Sequence, residues 1–252
     1  MVLDQLILSF PEGWLNGISA LGVVLINLII GFYSLYKSIK LKAKLLAITS
    51  ITIIFVGLLW LGPATDFISI LVTYQNIEPY WIYPILSYVW AAPGIFFGMY
   101  IGGELLMPKK KWILLSIYLV ICIAYEIFLL WNPPFGVFSS FRFEGIPGVD
   151  YAKGSQLIDT SSFPLPVSWY PTFYFLILFI LSILIFNGIG FLIKAKQATG
   201  ILRRKFSYLS IGFILFAIIV VFDSVVPPMV ALSIVRFGII VSSILLYLGI
   251  RT

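Results

Sequence analysis

The sequence predicts an all-α, polytopic bundle of seven membrane-spanning helices, and three observations carry that expectation. Of 252 residues, 61% are hydrophobic and 10% charged, against roughly 45–50% and 25% in soluble domains. The apolar residues gather into seven runs, each near or above the about 20 residues that cross a bilayer core as a helix. The basic residues, finally, fall almost entirely in alternate gaps between those runs, the pattern of chains whose cytoplasmic connections retain positive charge.

Met1 to Trp14 carries Asp4 and Glu12 and no basic stretch, so it reads as a short exported tail and not as a cleavable signal peptide. The first span, Leu15 to Tyr36, is then the targeting element. It is followed by Lys37, Lys40, Lys42 and Lys44, and by a second span, Leu45 to Thr73. A third span, Ile82 to Met107, leads into Lys109, Lys110 and Lys111, and the fourth runs from Trp112 to Trp131. Asn132 to Ser168 is a 37-residue loop with five prolines and the aromatic run Phe135, Phe138, Phe141 and Phe143. A loop so long and so apolar is expected to fold as an external cap over the bundle, with a short hairpin through Val137 to Phe143. The fifth span, Trp169 to Ile193, precedes Lys194, Lys196, Arg203, Arg204 and Lys205. The sixth, Phe206 to Val226, turns at Pro227-Pro228 into the seventh, Val230 to Ile250, with Arg251 after it.

Thirteen of the 16 basic residues thus lie on one side, and only Arg142 and Lys153 on the other. The expected orientation has the N-terminus outside and the C-terminus inside, in the cell membrane. Cysteines introduced at Lys42, Lys110 and Lys196 in a Cys122→Ser background should therefore react only from the cytoplasmic side, and those at Ser140 and Ser155 only from outside. External labelling at Lys110 would overturn the assignment. Topology also accounts for the net charge of +6, so no nucleic-acid partner is expected. Trp14, Trp81, Trp112, Trp131 and Trp169 stand at span ends, as in interfacial aromatic belts.

The chain has no histidine and one cysteine, Cys122. That excludes histidine-ligated haem or zinc, a Ser-His-Asp triad and an intrachain disulfide. No cofactor, no metal and no catalytic residue is expected, and the protein does not read as an enzyme.

Function is sought at ionisable residues inside spans, because burying each in hydrocarbon is costly. Glu104 lies beside Lys109 to Lys111 and reads as an interfacial pair. Asp66, Glu126, Asp223 and Arg236 lie in the outer halves. Arg236 stands about 12 Å below the Pro227-Pro228 turn at helical rise, with Asp66 about as deep. It must find an anion, Asp66 by depth or Asp223 across the hairpin. Gly62, Asp66, Ser69 and Thr73 share one helical face, as do Ser233, Arg236, Ser243 and Tyr247, and as do Tyr80, Tyr83, Ser87, Trp90 and Gly94. Converging, the three faces would line an outward-facing polar and aromatic cavity with Asp66, Glu126, Asp223, Arg236, Tyr83, Ser87 and Trp90 as its centre. Pro63, Pro84 and Pro93 should bend the second and third spans. Asn27 to Phe32 with its basic loop parallels Asn187 to Phe191 with its own, and Tyr100-Ile-Gly102 parallels Tyr247-Leu-Gly249. Both matches fit a parallel repeat of three helices joined by the fourth.

The layout resembles microbial rhodopsins and G-protein-coupled receptors, though no lysine lies in a span to form a retinal Schiff base. Gln197-Ala-Thr-Gly200 and Arg203-Arg-Lys205, leading into the sixth span, resemble the seven-helix sensory modules of prokaryotic histidine kinases. That resemblance implies a sensor or receptor binding a small molecule or lipid. Because the chain stops at Arg251-Thr252, its output would need a separate cytoplasmic signalling partner. The layout is also similar to small sugar transporters built as three plus one plus three helices, the alternative function.

Overall fold

The structure, a computed structural model, describes residues 11–73, 77, 82–131, 171–225 and 230–251. The proposed cap at 132–168 with its hairpin, Tyr80, and the Pro227-Pro228 turn lie outside the described residues. Those residues contain no strand.

α1 (Pro11–Leu41) starts on a proline, whose missing N–H is not needed in a first turn. It stops at Lys42, whose φ of 52° is left-handed, while the Ala43 N–H reaches back to the Ser38 carbonyl at 3.0 Å, the wrap-around bond of a helix C-cap. The second span is broken. α2 (Lys44–Leu58) and α3 (Leu61–Thr73) meet at an angle of 48°, with the Leu59 and Trp60 N–H groups bonded to Val56 and Gly57 in tight turns. The third span is α4 (Ile82–Tyr88), a turn at Val89-Trp90, and α5 (Ala91–Leu106). Pro63, Pro84 and Pro93 each occupy the third position of α3, α4 and α5, where no intrahelical donor is required. Pro63 and Pro93 thereby begin helices after a described break.

α6 (Lys111–Trp131) is a continuous span. The fifth begins as α7 (Pro171–Ser182), widens into a π-helical segment (Ile183–Ile189) and closes as α8 (Gly190–Gln197). Such a segment shifts the helical register and leaves carbonyls for outside donors. The Ser210 hydroxyl donates to Gly188 O at 2.8 Å. α9 (Gly200–Val225) opens on Gly200 at φ +58°, and α10 (Val230–Ile250) ends the bundle.

Among the described residues, six helical stretches are long and apolar enough to cross a membrane, and a seventh if the bent α2–α3 pair counts as one span. Neighbours in sequence pack together, and α10 closes the ring on α1. The apolar surface left outside is extensive: Ile113, Ile117, Val120, Ile123 and Ile127 of α6 are all more than half exposed. A water-soluble molecule would not present that continuous face. With the long apolar helices, it marks an integral membrane protein with several helical spans.

Candidate functional site

The buried charge pair joins α9 to α10. Arg236 Nε donates to Asp223 Oδ1 at 2.9 Å, with the two side chains 1% and 2% exposed. The guanidinium Nη1 donates to Asn16 O at 2.7 Å and Ser19 Oγ at 3.0 Å. The second carboxylate oxygen takes the Trp60 indole N–H at 3.2 Å. One cluster thereby ties α1, the α2–α3 break, α9 and α10.

The depth argument that favoured Asp66 treated the second span as straight. The break swings α3 away, and the Asp66 carboxylate instead accepts the Ile77 N–H at 2.8 Å. Asp66 anchors the segment after α3 and does not meet Arg236.

The polar face of α10 is engaged by α1. It forms a seam along α1: Ser233 Oγ donates to Leu15 O, Arg236 to Asn16 and Ser19, Ser243 Oγ to Asn27 Oδ1, and Lys37 Nζ to Tyr247 O–H. Periodicity found the right stripe and assigned it the wrong neighbour, since a neighbouring helix satisfies hydroxyls as well as a cavity does. Tyr83 and Ser87 sit at the α3–α4 contact. Ser87 Oγ bonds Tyr83 O at 3.0 Å, and both lie against Gly62, where a Cβ would come within 2.5 Å of Tyr83 O.

Trp90 does reach a cavity. An internal space of about 150 Å³ lies between α2, the α4–α5 turn, α5, α7 and α9. Apolar side chains such as Val56, Ile95, Phe179 and Phe216 form most of it. Trp60 and Asp223 stand at its polar corner. Gly94 and Gly98 keep the α5 wall low, a Cβ at Gly98 having no neighbour nearer than 4.0 Å. Trp90 stacks on Phe55 at 6.0 Å, yet its buried Nε1–H has no acceptor among the described residues. A buried indole donor normally finds one. The space persists because α7 makes only sparse contact with α5 and α9, so that end of the fifth span stands off from the bundle.

Glu126 lies elsewhere, on the opposite side of α5 with Ala92 and Pro93. The predicted centre therefore divides: Asp223 and Arg236 come together, Trp90 shares the cavity with Asp223, and Asp66, Tyr83, Ser87 and Glu126 stand apart.

Sequence reasoning missed Trp60, Asn16, Ser19 and Asn187. Trp60 had a signal, as a tryptophan in mid-span whose N–H needs an acceptor. Asn187 sits in the π-helical segment and donates to Gly98 O at 2.9 Å. Nothing local marks a π-helix over Ile183–Ile189. Among the described residues, no group of three or more Cys, Asp or Glu side chains is placed to hold a metal. The chemistry on offer is recognition: an apolar space, one oriented N–H and one carboxylate already engaged by two donors.

No protein-family model matches the chain, and no characterised protein and no solved structure is similar enough to count as a match.

Proposed function

We infer that the protein is a sensor-like or receptor-like seven-span membrane protein whose internal cavity binds a small, lipid-soluble molecule bearing one hydrogen-bond acceptor. The buried, unpartnered Nε1–H of Trp90, a residue lining this mostly apolar cavity, carries this reading. A ligand oxygen there would satisfy a donor that otherwise stays desolvated at a cost of about 1–3 kcal/mol. An apolar cavity of about 150 Å³ takes a benzene-sized molecule, which matches the volume beside Trp90. The α1–α10 seam supports an odd number of spans, because its pairs ascend together from Leu15 with Ser233 to Lys37 with Tyr247. The first and last helices therefore run in the same direction.

Binding should couple to the basic end of the bundle through the π-helical segment. Ile183 lines the cavity and Asn187 grips Gly98, while α8 leads directly to the loop before Gly200. This is the basis for a signalling role through a separate cytoplasmic partner. The transporter reading rests on the paired asparagines of the two halves. Asn27 meets α10 and Asn187 meets α5, so the first helix of each half contacts the third of the other.

In lipid nanodiscs, a small aryl ketone should bind wild type more tightly than the hydrocarbon of the same shape. Trp90→Phe should equalise the two, and Gly98→Leu should reduce both by filling the cavity. Equal binding to wild type, or a ketone preference surviving Trp90→Phe, would overturn the reading. Ketone-selective, counterflow-competent flux in proteoliposomes would replace it with the transporter.

A further inference from the structure

α5 is a wall with two sides. Gly94, Ile95 and Gly98 face the internal cavity, while Ala92, Pro93, Phe96 and Phe97 face an open groove of about 690 Å³ that shares no lining residue with it. The other side of the groove is α6, through Leu119, Ile123, Ile127 and Leu130. These four residues are each about half exposed, so the groove opens laterally, toward hydrocarbon.

Glu126 is the one carboxyl group in this lining, beside the Cys122 thiol, which is engaged by Ala92 O. Both carboxyl oxygens are out of solvent contact and neither has a hydrogen-bond partner among the described residues. Glu126 has no salt-bridge partner among the described residues either. Such a group calls for a donor from outside the chain, best of all a cation, since a desolvated carboxylate is costly until it is paired. Phe96 and Phe97, set edge to face at 5.7 Å and 79°, add π-surface of the kind that attracts ammonium groups. The remaining wall is aliphatic and would be covered by an apolar body.

We propose that the α5–α6 groove is a lateral binding site for a lipid-soluble amine, its ammonium seated on the Glu126 carboxylate and its apolar body lying along α6. Charge complementarity selects this occupant. A zwitterionic phospholipid would bring its phosphate to the same place, where no cation among the described residues lines the groove. A small hydrophilic amine would leave the aliphatic wall uncovered. The proposal is independent of the internal cavity, because the two sites lie on opposite sides of α5.

The test uses the full chain in phosphatidylcholine nanodiscs with a spin-labelled long-chain alkylammonium and the matched spin-labelled alcohol. Wild type should immobilise the ammonium with a preference on the order of tenfold, as expected for a charge-assisted hydrogen bond. Glu126→Gln should abolish the preference, and Gly98→Leu should leave it intact. Ile123→Trp, which fills the groove and retains the carboxyl group, should weaken both probes. Equal immobilisation by wild type, a preference that survives Glu126→Gln, or full displacement by phosphatidylethanolamine would each overturn the proposal.

Discussion

Arg236→Met should destabilise the bundle by about 3–5 kcal/mol, the cost of stranding one partner of a buried ion pair. The arginine cannot escape by losing its proton, so the native state depends on its ligands. Those are Asp223 Oδ1 at 2.9 Å, Asn16 O and Ser19 Oγ. Removing the guanidinium leaves the Asp223 carboxylate with the Trp60 indole bond and without its cation. It also removes the two bonds by which the guanidinium holds α1, at Asn16 and Ser19. Adding Asp223→Asn to Arg236→Met should recover part of the loss, whereas Asp66→Asn should add independently because Asp66 serves Ile77. Reversible unfolding in mixed micelles measures the three single and two double variants. Strict additivity with Asp223→Asn would show that the pair carries no coupling.

Gly62→Ala should be the most damaging alanine substitution among the described glycines, at about 1–3 kcal/mol for overpacking. A Cβ there meets Ser87 Oγ and the Tyr83 carbonyl oxygen, the latter at 2.5 Å. The obstacle is backbone of α4, which cannot rotate aside as a side-chain tip can. Relief requires α3 and α4 to separate. Gly22→Ala is the matched control. Nothing lies within 4 Å of its Cβ position, so replacing that glycine in mid-helix should be neutral or stabilising by a fraction of about 1 kcal/mol. A loss at Gly22 equal to that at Gly62 would show that the α3–α4 contact does not set the cost.

The same contrast explains how much of the candidate site was legible. Arg236 could be recognised as a buried cation needing an acid because the cost of its charge is local. The choice between Asp66 and Asp223 was not local, since it depended on whether the second span continued past Trp60. Pro63 announced an interruption there, but a proline does not specify the direction of the helix that follows it. Glu126 was identifiable as costly at its depth. Its place on the far side of α5 from Asp223 depends on rotation of α6 about its axis, which an almost uniformly apolar helix scarcely encodes.

Hydropathy by itself determined the class of molecule and the rough limits of its helices, because a bilayer sorts side chains by transfer energy one span at a time. Charge bias marked the basic connections, and helical spacing identified the polar stripe on α10, both being local properties. Tertiary structure alone decided that this stripe would zip onto α1, that α3 would leave the axis of α2, and that the fifth span would widen at Ile183–Ile189 beside a cavity. The physical reason is that lipid and protein interior are equally apolar to most of these side chains. Which face meets which helix is then settled by a few buried hydrogen bonds and close glycine contacts between residues far apart in the chain.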